Sequence, residues 1–142
     1  MASLLSKRPD PPAARRSSKT ILVVDDEAEV RDLLISILKQ NGYTVLEASS
    51  GAKAFLTCKD YTGEIHLIIS DVMMPGMLTG TDLLRRVASL RPEMKRLCIS
   101  GYMDESMLHH ELPGLSFLQK PFTPDDLLRH VRTLLDAPRK RA

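Results

Sequence analysis

Three acids, a hydroxyl and an ammonium stand where hydrophobic runs stop. Asp25 and Asp26 follow the run 21–24, Asp71 follows 67–69, Ser100 follows 97–99, and Lys120 follows 115–118. If each run is a parallel strand, all five polar groups meet at one edge of one sheet, and open α/β sheets bind ligands outside the carboxyl ends of their strands. The chemistry available there is phosphoryl handling. A hard cation such as Mg²⁺ takes oxygen ligands and keeps several waters, so it needs only a few carboxylates beside a phosphate oxygen. Asp71 is the candidate nucleophile, since a carboxylate that attacks phosphorus makes an aspartyl phosphate. Lys120 would pair with the phosphoryl group and Ser100 would donate to another of its oxygens, because such transfers depend on positioning and charge neutralisation.

Each residue also has an ordinary reading. Asp is a favoured N-cap, so an Asp-Asp pair before a helix is explained by capping alone. A lysine after a strand is commonly solvated, and a serine there commonly serves a turn. The weight rests on four strand ends carrying complementary groups together.

The elements that must position these residues read as five alternations of apolar run and helical pattern, the signature of a parallel sheet wrapped by helices. Strands are expected at 21–24, 43–48, 65–69, 97–99 and 115–119. The first is apolar throughout, as a strand covered on both faces should be; the second mixes Thr and Glu with Val and Leu and belongs at or near the sheet edge. Helix one starts at about Glu27, buries Val30, Leu33, Leu34, Ile37 and Leu38, and stops at Asn41-Gly42. Helix two opens after Ser49-Ser50-Gly51 with Ala52, Ala54, Phe55 and Cys58 inward. A loop, 73–80, precedes a third helix carrying Leu83, Leu84, Val87 and Leu90, which Arg91-Pro92 ends because the residue before proline is pushed out of the α region. A short helix is expected at 103–110. Thr123 as N-cap, Pro124 at N1 and the acids Asp125 and Asp126 then start the last helix, with Leu127, Leu128, Val131, Leu134 and Leu135 facing the core.

The 142 residues suffice for one domain with a real core. The net charge of +2 conceals an acidic body, because eight of the 20 Lys and Arg lie in 1–19 and 139–142, leaving 20–138 at −5. The expected division is a flexible, basic, Pro-rich leader over 1–19, one folded domain over 20–138, and a basic tail over 139–142. So short a basic run reads as a solvated end rather than a nucleic-acid arm. Cys58 and Cys98 have no metal-ligand spacing and fit small core hydrophobes of a reducing compartment. No apolar stretch reaches the ~20 residues of a membrane helix. The histidines His66, His109, His110 and His130 share no spacing with the acids, so boundary roles are expected. Met73, Met74 and Met77 read as an apolar flank of the site.

In order and separation, ILVVDDE, IISDVMMPG, CISGY and FLQKPF resemble the receiver domain of two-component response regulators, the group that includes chemotaxis receivers, over roughly 20–136. The resemblance implies a flavodoxin-like, doubly wound, five-stranded parallel sheet of order 2-1-3-4-5 with five helices; a receiver is among the standard examples of that order. It implies Asp71 as phosphoacceptor; Asp25 and Asp26 as the acidic pair; Asp26, Asp71 and the backbone carbonyl of Met73 as direct Mg²⁺ ligands; Lys120 as the phosphate-pairing lysine, with a cis bond to Pro121; and Ser100 and Phe117 as the switch pair. When the hydroxyl moves to the phosphate, the ring turns inward and remodels the face made by the helix 103–110, the fifth strand and the last helix. Phe in place of Tyr removes a hydroxyl that would otherwise bond outward. The loop Met77-Leu78-Thr79-Gly80 is one residue longer than in many receivers, as suggested for some receivers of hybrid kinases. Bulky Met73 and Tyr102, two positions past Asp71 and Ser100, would screen the phosphorus from water and lengthen the life of the phosphate.

The function so implied is a cytoplasmic phosphorelay switch. It receives its phosphoryl group from a sensor histidine kinase or a histidine phosphotransfer protein and acts on a downstream protein or through a homodimer, with no membrane partner. It is not an enzyme in the conventional sense, although it catalyses its own aspartyl phosphorylation and dephosphorylation. Two alternatives compete. A haloacid-dehalogenase-like phosphatase also uses a nucleophilic Asp and Mg²⁺ but wants DxD on its first strand, where this chain has Asp25-Asp26-Glu27. A phosphorylation-independent interaction module would keep the fold without the chemistry.

Overall fold

The computed structural model describes residues 19–72, 79–101 and 115–137. Five strands, β1 (Thr20–Val24), β2 (Thr44–Ala48), β3 (Leu67–Asp71), β4 (Lys95–Ser100) and β5 (Ser116–Gln119), alternate with four described helices, α1 (Ala28–Gln40), α2 (Gly51–Asp60), α3 (Gly80–Leu90) and α4 (Pro124–Asp136). All pairs are parallel and the order is β2-β1-β3-β4-β5, the flavodoxin-like arrangement expected from the sequence. The helix expected at 103–110 lies outside the described residues.

Alternation along the strands divides the core into two layers. Leu22, Val24, Ile68 and Cys98 face α2 and α3 through Ala54, Cys58, Leu83, Leu84 and Val87. Ile21, Val23, Leu67, Ile69, Leu97 and Ile99 face α1 and α4 through Leu34, Leu38, Leu127, Val131 and Leu135. Both cysteines are buried, and burial pushes their thiols up, Cys58 to about 11 and Cys98 to about 12.

Helix ends follow local chemistry. Ser50 and Thr79 accept the Lys53 and Asp82 N–H groups as N-caps, and Thr123 forms a capping box with Asp126 around Pro124. Gly42, after the Asn41 C-cap, takes φ 90°, where a Cβ would be strained. Three side-chain assignments need correction. Leu33 is 59% exposed and Leu90 39% exposed, and Ala52 is also exposed, because the sheet covers a narrower stripe of each helix than the apolar pattern spans. Glu27 is the N-cap of α1 and makes no side-chain cap bond, so neither Asp25 nor Asp26 is the N-cap.

Strand limits move as well. β3 begins at Leu67 rather than 65 and runs through Ser70 and Asp71, which pair with Cys98 and Ile99. β4 extends to Lys95 and Ser100, since hydrogen bonding along a parallel ladder depends on the neighbouring backbone and not on the polarity of the side chain.

Candidate functional site

Register places the polar residues. Val24 pairs with Ser70, so Asp25 leaves β1 level with Asp71; Asp71 pairs with Ile99, one residue before Ser100; and Ser100 pairs with Gln119, one residue before Lys120. Ladder contacts continue past the strand ends: Asp25 N–H donates to the Ala48 carbonyl at 3.2 Å, Val72 N–H to Ile99 at 3.0 Å and Lys120 N–H to Ser100 at 2.8 Å. The structure therefore gathers Asp25, Asp71, Ser100 and Lys120 at the carboxyl edge of the sheet.

Asp71 is 6% exposed and Asp25 1%. The Lys120 Nζ donates to Asp71 Oδ2 at 2.9 Å. Burial alone would lower Lys120, but the hydrogen bond and charge of Asp71, with Asp25 and Glu27, hold its ammonium above the usual lysine value. Asp25 Oδ1 accepts from Glu27 N–H at 2.9 Å. Burial raises the Asp25 carboxyl above the usual carboxylate value; that hydrogen bond and Lys120 oppose the rise, and the charges of Asp71 and Asp26 add to it. Ser100 is 1% exposed, and its Oγ has no hydrogen-bond partner among the described residues. A buried hydroxyl without a partner costs stability, and here it sits at the sheet edge beside a carboxylate and an ammonium. The Lys120–Pro121 bond is cis.

Asp26 is exposed at the same edge. Phe117 is partly buried against the α2 and α3 side of the core. Met73, most of the extended loop, Tyr102, His109 and His110 lie outside the described residues. His66 and His130 are engaged elsewhere than with the acids of this edge: His66 Nδ1 accepts from Thr20 N–H at 2.9 Å, and His130 Nδ1 lies 3.0 Å from the Asp126 carbonyl.

Among the described residues no three His, Cys, Asp or Glu side chains form a ready-made cage for an ion. What the edge offers is an open set of carboxylate oxygens in which one buried carboxyl is unfavourably charged, and a small hard cation that retains waters fits that donor set.

Two residues that sequence reasoning passed over also shape the edge. A Cβ on Gly80 would strike the backbone carbonyl oxygen of Asp71 and come 2.9 Å from Val72 Cα, so α3 starts against the phosphoacceptor candidate's own backbone. Arg31 Nη1 donates to the Asp25 carbonyl at 2.8 Å and its Nε to Glu47 Oε1 at 3.1 Å. The available signals were a glycine opening a helix, and an arginine one turn after Glu27, whose side chain leans toward the helix start.

Comparison with known proteins bears on the family and the fold. The sequence profile of the response regulator receiver domain matches residues 21–132. The chain is 37% identical to the sensor kinase CckA of Brucella abortus over 84% of its own length and 13% of the kinase's. It is 32% identical to the phosphate regulon transcriptional regulatory protein PhoB of Pseudomonas aeruginosa over 82% of its own length and 52% of that protein's, so it spans only part of these curated relatives. The crystal structure of a CheY-like receiver domain protein from Methanospirillum hungatei superposes with a TM-score of 0.76 at 32% identity, covering 84% of this chain and 95% of that one. No helix among the described residues is long and apolar enough to cross a membrane. By sequence and by fold, the chain belongs to the response regulator receiver domains, the phosphoryl-accepting modules of two-component signalling.

Proposed function

We propose that Asp71 accepts a phosphoryl group from a histidine kinase or a histidine phosphotransfer protein, in a folded unit spanning 20–138, and that the chain signals through the resulting change in its binding face. The observation that carries this reading is the buried Asp71 carboxylate at the end of β3, with the Lys120 ammonium at 2.9 Å and the Ser100 hydroxyl, without a partner among the described residues, one residue beyond Asp71's ladder partner.

An Asp71 carboxylate oxygen forms the new O–P bond as the P–N bond to the donor imidazole breaks, and no proton need leave Asp71. Lys120 then pairs with a phosphoryl oxygen. Ser100 supplies a donor that has no partner among the described residues while Asp71 is free, so phosphorylation gives its hydroxyl a reason to move. Phe117 follows into the space it leaves, and the surface of β5 and α4 changes with it. Asp25, Asp26, Asp71 and the Met73 carbonyl would hold Mg²⁺, which when bound offsets the negative charge between carboxylate and phosphoryl group. Water attack on the same phosphorus returns Asp71 to its free state. The setting is cytoplasmic, and the output is a downstream protein or a homodimer.

The test is intact mass after incubation with a small phosphodonor. The expected result is one added phosphoryl group that requires Mg²⁺ and is absent in Asp71→Asn. No adduct in the parent chain under any condition would overturn the reading in favour of an interaction module.

A further inference from the structure

We infer that Arg31, neutralised by Glu47, is the positioning residue that holds the acidic turn 25–27 in its cation-binding form; this rests on the Mg²⁺ reading above. The turn has little else to fix it. The N-cap Glu27 makes no side-chain cap bond, and among the described residues Asp25 is tethered by its N–H, which donates to the Ala48 carbonyl, and by its Oδ1, which accepts from Glu27 N–H. Arg31 supplies the remaining one: its guanidinium reaches back along α1 to the Asp25 carbonyl at 2.8 Å, while its own N–H donates to the Glu27 carbonyl at 2.9 Å.

A guanidinium beside a cation site is a liability unless its charge is met. Glu47 on β2 meets it at 3.1 Å, with the Arg31 side chain 15% exposed and Glu47 58% exposed. The pair therefore joins α1, the acidic turn and the edge strand, giving the turn a rigid donor fork without presenting a net positive charge to the incoming ion. An outer group that orients ligands in this way contributes heavily to metal affinity although it touches no metal.

The experiment is a Mg²⁺ titration of the full chain followed through the amide resonances of Asp25 to Glu27, with thermal unfolding measured separately without Mg²⁺. Arg31→Met is expected to weaken Mg²⁺ affinity by roughly tenfold or more, out of proportion to a small fall in unfolding temperature. Arg31→Lys keeps the charge and the stem but not the fork, and is expected to recover only part of the loss. Glu47→Gln leaves the guanidinium uncompensated and is expected to weaken Mg²⁺ several-fold with a steeper salt dependence, while the double variant is no worse than Arg31→Met alone. Parent-like affinity in both Arg31 variants would overturn the proposal while leaving the metal reading standing. No response in the parent chain would remove the metal reading and this proposal together. A loss in Arg31→Met that Arg31→Lys fully restores would reduce the role to charge, and parent-like affinity in Glu47→Gln would remove the neutralising role; either result also overturns the inference.

Discussion

Lys120 Nζ stands 2.9 Å from Asp71 Oδ2, although the two residues are 49 positions apart in the chain. An ammonium so placed favours a phosphoryl oxygen but repels a divalent cation bound to the same carboxylate. Lys120→Met is therefore expected to bind Mg²⁺ roughly three- to tenfold more tightly than the parent chain, the size of a like-charge repulsion of about 1 kcal/mol at 4 Å when water screens it, yet to accumulate the phosphoryl adduct more slowly. Calorimetric titration and timed intact-mass spectra separate the two effects, and weaker Mg²⁺ binding in the variant would contradict the repulsion argument.

Ser100 presents the opposite case, a polar group whose removal should cost the resting state little. Its buried Oγ bonds nothing among the described residues, so Ser100→Ala loses no hydrogen bond and is spared the burial of an unpaired hydroxyl. The expected outcome is an unfolding free energy in urea unchanged or raised by up to about 1 kcal/mol, with adduct still forming on Asp71. The amide shifts that phosphorylation induces in β5 and α4 of the parent should be much smaller in the variant. A clear loss of resting stability would show that the hydroxyl has a partner after all.

Gly80 packs against backbone, and backbone yields poorly. A methyl at this position meets the Asp71 carbonyl oxygen, with Val72 Cα at 2.9 Å and Asp71 C at 3.0 Å. Gly80→Ala must displace the start of α3 or the end of β3, at a cost of about 1–3 kcal/mol typical of overpacking, and phosphoryl uptake should fall because Asp71 moves relative to Lys120. Urea unfolding and adduct yield check both halves. Unchanged yield in a destabilised protein would mean that α3 gives way and the site does not.

The contrast between these residues shows what can be read from a linear chain. Asp25, Asp71, Ser100 and Lys120 were legible because each interrupts an apolar run, and four interruptions become one site once the strands are parallel. Strand limits were less legible: Ser70 and Asp71 belong to β3 because Cys98 and Ile99 pair with them, a fact of the neighbouring strand. Leu33 looked like core by its spacing and is exposed, since the width of the buried stripe depends on how the helix lies on the sheet. Arg31 and Gly80 escaped for the same reason, their partners Glu47 and Asp71 being set by tertiary approach.

At the opposite end of the sheet, His66 does the work of a backbone carbonyl. Its Nδ1 accepts the N–H of Thr20, the first residue of β1, at 2.9 Å, and Thr20 is 8% exposed. His66→Ala strands that donor and should destabilise the fold by about 1–3 kcal/mol. His66→Asn can place an amide oxygen near the former Nδ1 position and should recover much of the loss. Equal denaturant midpoints for the two variants would show that the hydrogen bond contributes nothing.

Asp126 makes the acid limb of the stability curve testable at a single residue. Its carboxylate accepts from Thr123 N–H at 3.0 Å while its own N–H donates to Thr123 Oγ1 at 3.0 Å. The bond from the Thr123 backbone, then the Thr123 side-chain bond, with a further contribution from Arg129, hold its carboxyl below the ordinary value of 3.8. A depressed folded value means that the stabilisation is complete above the unfolded value and is lost as pH falls through the folded one. The stability gap between the parent chain and Asp126→Ala should therefore be constant from neutral pH down to about 5, narrow below 3.8, and close once both folded and unfolded carboxyls are protonated. Thr123→Ala removes the other half of the box and should cost about 1 kcal/mol at neutral pH. Urea midpoints of the three proteins across this range give the answer, and a gap that widened on acidification would reverse the sign of the effect and refute the cap as its source.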